Sequence, residues 1–481
     1  MPFSFARVSL ILLACCFLGV SPGFAQAKLW TLQECLEYAT ENNLQVQQSV
    51  LQAQIAKNDR QTAQWDYAPD LNLSSGYNWN FGLNIDPVTN QISQQTRQTA
   101  NLNLSSQLTL FNGGRNWNSV SAANAGYLAA MYEADAAKND IQLNVATAYL
   151  QVLLNREIVE VAKEQLIISN NQVRRMEKLV NSGSNPKGDL LQLEAQQAQD
   201  NQSKIDAENQ LKLSLVRLAN LLQLENPNDF DIADPDLTLP EPSLLARDPE
   251  AILATALEKQ PVIKGAEKRL EQSAEQTQIA YAPFLPTLNV VGSIGTSYSN
   301  QIFEPTSFIT TPPEQIGVVA DGSQTPVLSQ PRLRGTDFEQ VALGNQLDNN
   351  LNEFIGLSLT VPIFNKLATR NNYQNAQIRQ KQQKLALDQE KNNLRQTIYQ
   401  AHADAKASYN NYLAAKKSVD FNEESFKYAQ KRFKVGAINQ FDFQNAKNNL
   451  TIARSQMIRS KYDYIFKVKV LEFYLNNSIQ L

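Results

Sequence analysis

"LNLSSGYNWNFGLN" (71–84) alternates without a break. Leu71, Leu73, Ser75, Tyr77, Trp79, Phe81 and Leu83 take the odd places, and Asn72, Ser74, Gly76, Asn78, Asn80, Gly82 and Asn84 the even ones. A period of two sends successive side chains to opposite faces of a strand. One face is then apolar and aromatic, the other a row of asparagines and small residues, and the stretch carries no charge.

Three further stretches repeat the pattern. Leu102, Leu104, Leu108 and Leu110 alternate with Asn101, Asn103, Gln107 and Thr109. Leu288, Val290, Ile294 and Tyr298 oppose Asn289, Ser293 and Ser297. Leu351, Ile355, Leu357, Leu359, Val361 and Ile363 oppose Asn352, Ser358 and Thr360. These runs exceed the usual strand of about five or six residues. A tilted strand crossing a bilayer needs about 9–11 residues, apolar toward lipid and polar toward a lumen.

A soluble antiparallel sheet with one wet face alternates too. Here the polar faces are Asn, Ser, Thr and Gly rather than Lys and Glu. The aromatics Tyr77, Trp79, Phe81 and Tyr298 fall toward loop ends, where a membrane interface favours them. The pattern predicts four membrane strands, with Leu71, Leu73, Tyr77, Trp79, Phe81, Leu102, Leu104, Leu108, Leu288, Val290, Ile294, Leu357 and Leu359 toward lipid. Four strands do not close a barrel, and lipid does not tolerate an open sheet edge, so the chain must oligomerise.

The rest of the chain reads as long helices, and it is written twice. With Phe111 placed on Phe364, an offset of 364 − 111 = 253, Asn112 meets Asn365, Ala148 meets Ala401, Gly183 meets Gly436, Asp189 meets Asp442 and Leu222 meets Leu475. The predicted first unit spans 26–225: a helix over 31–66, a β-hairpin over 71–111, a long helix over 113–180 and a last helix over 189–224. The second spans 249–481: a helix over 249–281, strands over 286–299 and 351–364, a long helix over 366–433 and a last helix over 442–476. Gly183 and Gly436 break the long helices. The stretch 226–248, rich in Pro and Asp, is predicted to be a linker or small irregular region. The segment between the third and fourth strands is polar and carries Pro305, Pro312, Pro313, Pro326 and Pro331, which predicts a long loop. A helix of nearly seventy residues, at about 1.5 Å per residue, is a rod on the order of 100 Å. Its narrow apolar stripe, as with Leu211, Leu215, Leu218 and Leu222 in the last helix of the first unit, suits lateral packing against neighbouring helices.

Charge and composition exclude other classes. Lys plus Arg is 43 and Asp plus Glu is 47 in 481 residues, a net charge of −4, with none of the basic excess that nucleic acid needs. Mean hydropathy is −0.37, and no apolar run beyond the N-terminus approaches the about 18 residues of a membrane helix. At the start, Arg7, "VSLILLACCFLGV" and "SPGFAQA" form a signal peptide over 1–25, cut after Ala25. A lipoprotein cut before Cys15 is the alternative, with Leu13 and Cys16 against it, so lipidation stays open. Cys35 is then alone in the mature chain and reads as a small apolar filler on a helix. His402 is the one histidine and reads as a lateral packing residue. No metal spacing, phosphate loop or catalytic constellation is present, so the sequence predicts no enzyme, no metal and no cofactor.

The repeated "YAP" before a strand, "LFNGG" after one, "TLQECLEYATENNLQV" near the start and "VGAINQFDFQNAKNNL" (435–450) resemble the TolC-like outer-membrane efflux proteins, over essentially the whole mature chain. The resemblance implies an α+β membrane protein that forms a homotrimer. Each chain would supply four strands to a twelve-stranded barrel in the outer membrane of a Gram-negative bacterium, and its helices to a periplasmic tunnel. It implies passive export, with a periplasmic adaptor (a membrane fusion protein) and an inner-membrane pump as partners, in efflux or type I secretion. Gly183, Gly436, Lys187 and Ile438 would mark the tip turns where the adaptor docks. Asp442, with Asn445 and Asp189, would line the periplasmic aperture. Asn445 stands where an acid is common in the family, and Ile438 where a basic latch residue is. Read from the residues alone, Asp189 and Asp442 suit the positive end of a helix. A stand-alone diffusion pore and an elongated structural envelope protein are the alternatives.

Overall fold

The computed structural model describes residues 29–85, 92–94, 96–235, 238–320 and 322–476. The signal-peptide reading of 1–25, with Cys15 and Cys16, lies outside them. The described chain begins with β1 (Leu29–Trp30), α1 (Leu32–Asn42) and α2 (Leu44–Trp65). One helix was expected over 31–66, and Asn43 divides it. Asn43 is extended at φ −66° and ψ 126°, and its side chain accepts from the N–H groups of Gln45 (2.9 Å) and Val46 (3.4 Å). It closes α1 and caps α2, as Asn does at a helix start. Thr31 and Glu34 form a capping box at the start of α1.

Beyond Pro69 come β2 (Asn72–Asn80), the short pair β3 (Leu83–Ile85) and β4 (Ile92–Gln94), and β5 (Arg97–Asn112). The first strand is shorter than its alternation suggested. Leu71 precedes it and Phe81 follows it. Gly82, at φ 129°, turns the chain out of the sheet, and Leu83 pairs with Gln94 in a separate ribbon. Next come α3 (Arg115–Asn181), α4 (Lys187–Leu221), β6 (Asp231–Ile232), α5 (Pro249–Lys259) and α6 (Pro261–Tyr281). The break between α5 and α6 falls at Gln260, because Pro261 disfavours the helical region in the residue before it.

β7 (Thr287–Ser299) follows, then β8 (Phe303–Thr311), β9 (Gln315–Val318), β10 (Pro326–Leu328), β11 (Arg332–Gln340) and the short α7 (Leu343–Asn349). The expected long loop is therefore folded. β8 pairs with β11 and β9 with β10, both antiparallel. The prolines sit at ends and edges of these ribbons, where a missing N–H costs no ladder bond. β12 (Asn352–Thr360), α8 (Ala368–Lys434) and α9 (Gln440–Asn476) complete the chain. Pro362 ends β12 before Ile363, short of the expected 364. Among the described residues no helix is long and apolar enough to cross a membrane.

The chain divides into two packed units. One holds 29–54, 128–267 and 386–476, and is helical. Its core gathers Cys35 and Leu36 of α1, Val145, Tyr149 and Leu153 of α3, Leu218 of α4 with Leu222 just past its end, and Ile458 and Ile465 of α9. Cys35 is the buried helical residue the sequence predicted. The supposed linker contributes to this core, which the Pro and Asp content concealed. Phe230 and Ile232 are buried in it, and β6 pairs in parallel with β1. Tyr149 donates to the Ala233 carbonyl at 2.8 Å, and Arg156 holds Asp231 at 2.6 Å. The other unit, 55–127 and 268–385, carries the sheet in the order β12-β7-β5-β2.

Candidate functional site

The register of the sheet sorts the alternating residues. Leu73 faces Leu104, which faces Ile294; Leu108 faces Val290, which faces Leu357. Directly opposed residues share a face, so these leucines, Val290 and Ile294 lie together with Tyr77, Trp79, Leu102, Leu288 and Leu359. The other face holds rows such as Asn72, Ser105 and Ser293. Several residues depart from the pattern at the end of the sheet away from the helices, among them Gln98, on the apolar side opposite Trp79. Glu353 lies on the apolar side opposite Ile294, and Phe354 on the polar side opposite Ser293. A bulge between Thr109 and Phe111 shifts the register near the helix end. The apolar face is bare within the chain: Ile355 is 82% and Leu357 73% exposed. Tyr77 and Trp79 pack edge to face at 4.5 Å.

β2 and β12 are the outer strands, so each presents one unpaired row of backbone N–H and C=O groups. Such edges invite pairing with another chain.

At the far ends of the long helices, two turns share one construction. Gly183 donates to the Val180 carbonyl at 2.9 Å while Ser184 donates to Leu179 at 2.8 Å. Gly436 donates to Phe433 at 3.1 Å while Ala437 donates to Arg432 at 2.8 Å. These are Schellman motifs, and both glycines sit at φ 73°, where a Cβ is strained.

Between the two turns lies a cavity of about 780 Å3. Met176, Leu193, Phe433 and Phe443 supply its apolar part. Phe433 stacks on Phe443 at 4.7 Å, and the Arg175 guanidinium lies 5.8 Å from the Phe433 ring. Of the residues predicted for the tip, Asp189, Gly436 and Ile438 line this cavity; Gly183, Lys187, Asp442 and Asn445 do not. Asp189 accepts from Asn185 at 3.3 Å in the first turn of α4. Asp442 is exposed and is not the cap of α9, since Asn439 accepts from the Asp442 N–H at 2.8 Å. The signal for that cap, an Asn just ahead of the helix, is in the sequence. The side-chain amides of Gln172 and Gln440 border the cavity with no hydrogen-bond partner among the described residues.

Further along the same helices is a buried polar cluster that sequence reasoning missed. Lys447 of α9 donates to Ser169 of α3 at 2.7 Å and to Asp200 of α4 at 3.1 Å. Ser169 also bonds Asp200, and Gln196 donates to its second oxygen at 2.8 Å. Burial pushes the Lys447 ammonium below the usual lysine range, against the charge of Asp200. In sequence, Lys447 and Asp200 stand 247 residues apart and carry no shared signal. His402 lies on α8, partly buried, its Nε2 shielded and without a hydrogen-bond partner among the described residues.

The model of a family described as "Outer membrane efflux protein" matches residues 35–223 and 339–477. The outer membrane efflux protein BepC of Brucella suis biovar 1 (strain 1330) is 22% identical over 445 residues, covering 90% of this chain and 83% of its own. The crystal structure of CusC superposes with a TM-score of 0.71 at 18% identity, over 93% of this chain and 91% of that one. The outer membrane protein VceC of Vibrio cholerae gives 0.68 at 18% identity, over 93% and 95%. At such identities the structural likeness speaks for the fold.

Proposed function

The chain belongs to the outer membrane efflux protein family, and from that premise we propose that it is the outer-membrane exit duct of a tripartite efflux or type I secretion system. It acts in efflux transport at the outer membrane. In our reading three copies associate, and their four-stranded sheets join edge to edge into a twelve-stranded barrel with the leucine face toward lipid and the asparagine face toward a water-filled lumen. The observation that carries this is the sheet itself: one bare apolar face, one polar face and two unpaired edges. In lipid those edges must be paired, and closure among copies is the arrangement that pairs them all.

The helical part is proposed to lie in the periplasm as a tunnel. An internal duplication fits the helix boundaries, since α3 and α8 begin 368 − 115 = 253 residues apart and end 434 − 181 = 253 apart. The tip turns at Gly183 and Gly436, with the cavity between them, are proposed as the surface where a periplasmic adaptor docks, with Lys187 and Ile438 alongside. Gln172 and Gln440 border that cavity with shielded amides that have no hydrogen-bond partner among the described residues. The exposed Asp442, with Asn445 and Asp189, is proposed to line the aperture. Transport is passive, and an inner-membrane pump supplies the energy.

Envelope extraction tests the reading. The protein is expected to resist high salt, to need detergent, and to emerge as a trimer. Release by salt alone, or a monomer in mild detergent, would sink the shared barrel. Large, constantly open currents from purified trimer in a planar bilayer would favour a stand-alone pore over a gated duct.

A further inference from the structure

Four helices place an acid in the first turn, whereas α2, α6, α7 and the two longest helices do not. α1, α4, α5 and α9 carry Glu34, Asp189, Glu250 and Asp442 in their first turns, where a carboxylate complements the positive end of the helix dipole. α3 and α8 have no acid there. Instead α3 opens on Arg115, and Arg370 lies in the first turn of α8. A cation at a helix N-terminus is electrostatically misplaced unless an anion joins it.

Both helices start at the same end of the sheet, where β5 ends at Asn112, β12 ends at Thr360 and β7 begins at Thr287. A cavity of about 460 Å3 lies there. Arg115 and Arg379 line it, with Asn372, Asn375, Gln276 and Ser273, and no carboxylate does. Neither guanidinium has an ion-pair or hydrogen-bond partner among the described residues, whereas Lys447, Arg454, Lys461 and Lys467 are each paired with an acid. The lining thus combines two permanently charged donors and several neutral polar groups with the apolar Ile279, Ala280, Pro283 and Ala376. That chemistry matches a phosphate, which guanidinium groups bind through paired N–H bonds.

Aromatic residues mark the same level. Trp65 is 74% and Trp117 72% exposed, and Tyr281, Phe284 and Tyr373 pack against one another with ring centroids 5.5–6.3 Å apart. Exposed aromatic rings gather where a membrane barrel meets the headgroups.

We propose that Arg115 and Arg379 form a phosphate-binding site at the helix end of the barrel, occupied by the headgroup of a phospholipid in the periplasmic leaflet of the outer membrane. The inference rests on the membrane-spanning reading of the sheet. A bound phosphate would neutralise the arginines, complement the N-terminus of α3, which opens on Arg115, and fix the depth of the barrel in the bilayer.

The test uses full-length protein in a non-ionic detergent, with bound lipid counted by native mass spectrometry. Phosphatidylglycerol is the probe, and diacylglycerol with the same chains is the control without phosphate. The wild type should retain phosphatidylglycerol and not diacylglycerol. Arg115→Gln/Arg379→Gln should lower retention about tenfold or more, the loss of charge-assisted bonds, while Arg115→Lys/Arg379→Lys should keep part of it. Equal retention by wild type and the Gln variant, or of both lipids, would overturn the site. Inorganic phosphate added to the wild type separates the sources. Weak competition identifies the lipid, and displacement at equal concentration identifies a soluble phosphate compound. If the Gln variant does not fold, that competition decides, and no effect of phosphate at any concentration overturns the site. A protein that takes up no detergent or lipid belt sinks the membrane reading; one with a normal belt but no arginine-dependent adduct sinks this site alone.

Discussion

Lys447 Nζ lies 3.1 Å from Asp200 Oδ2, and their side chains are only 1% and 7% exposed. The pair joins α9 to α4, and Ser169 brings in α3. Placing two charges out of water is costly, and only close geometry and further hydrogen bonds offset it. Here Ser169 and Gln196 supply those bonds. Lys447→Met alone should therefore destabilise the helical unit by about 3 kcal/mol, because Asp200 is left buried without its counter-ion. Adding Asp200→Leu should recover most of the loss. Thermal unfolding in detergent reads both, and a double variant as unstable as the single would show that the pair itself, not the orphaned charge, provides the stability.

The tip glycines are conformational requirements. A Cβ added at Gly436 or Gly183 meets nothing within 4 Å, so only the backbone at φ 73° resists it. Gly436→Ala should cost about 1–2 kcal/mol of left-handed strain, seen as faster hydrogen exchange in the turn. Gly188→Ala is the control. It too meets open space, but lies inside α4 without a positive φ, and should be neutral or stabilising by about 0.4–1 kcal/mol. Equal exchange in both variants would count against strain at the turn.

Much of this was legible in the sequence, because period and punctuation are local signals. The alternation from Leu71 marked a strand, and only its ends were misjudged, since nothing in the pattern announces that Gly82 swings the chain away. The glycines at 183 and 436 marked both turns. What was not legible depends on partners far off in the chain. Phe230 and Ile232 looked like linker residues because Asp and Pro surround them, yet β1 and Tyr149 hold them in the core. Polar composition between 300 and 350 read as loop, although β8 and β11 pair there with mostly exposed faces that need no apolar alternation. Nothing near Lys447 in the sequence marks its pairing with Asp200, 247 residues away.

Alkaline pH should unfold the helical unit before it affects much else. Burial raises the Tyr149 and Tyr462 hydroxyls above their ordinary value of 10.0, and the hydrogen bond of Tyr462 to Glu157 adds to its shift. A group whose folded pKa is raised stabilises the fold fully below its unfolded value, and that stability is lost as pH rises beyond it. Each tyrosine then contributes a slope of at most about 1.4 kcal/mol per pH unit above pH ~10. Lys447 works in the opposite sense, since its lowered pKa penalises the fold below the usual lysine value and the penalty lifts as pH rises. The tyrosines outnumber it, so stability should fall. Tyr462→Phe should flatten the fall, and an unchanged slope would remove Tyr462 from the account.

Leu357 and Ser358 are neighbours on opposite faces of β12. A lysine at Leu357 would meet lipid and should cost about 2–4 kcal/mol if the residue lies near the bilayer centre. A lysine at Ser358 should leave the trimer stable and shift conductance toward anions. Folding into vesicles and single-channel selectivity measure the two effects. Equal tolerance at both positions would contradict opposite faces in lipid and lumen.

Asp442 is the sharpest test of the proposed aperture. Its N–H is capped by Asn439, so its carboxylate has no capping duty and stands exposed in the first turn of α9. If three copies meet at the tip, three carboxylates face one another across the opening and attract cations. Asp442→Ala should then weaken block by divalent or polyvalent cations and lower cation selectivity, with little change in stability, since the loss is confined to the favourable helix-dipole interaction, about 0.3–1 kcal/mol. Asn445→Asp should act in the opposite direction by adding a second acidic ring one helical turn away. Planar-bilayer recordings of the two variants separate a local aperture from a general surface charge. Opposite shifts in block support the aperture, whereas unchanged block in Asp442→Ala removes Asp442 from the constriction.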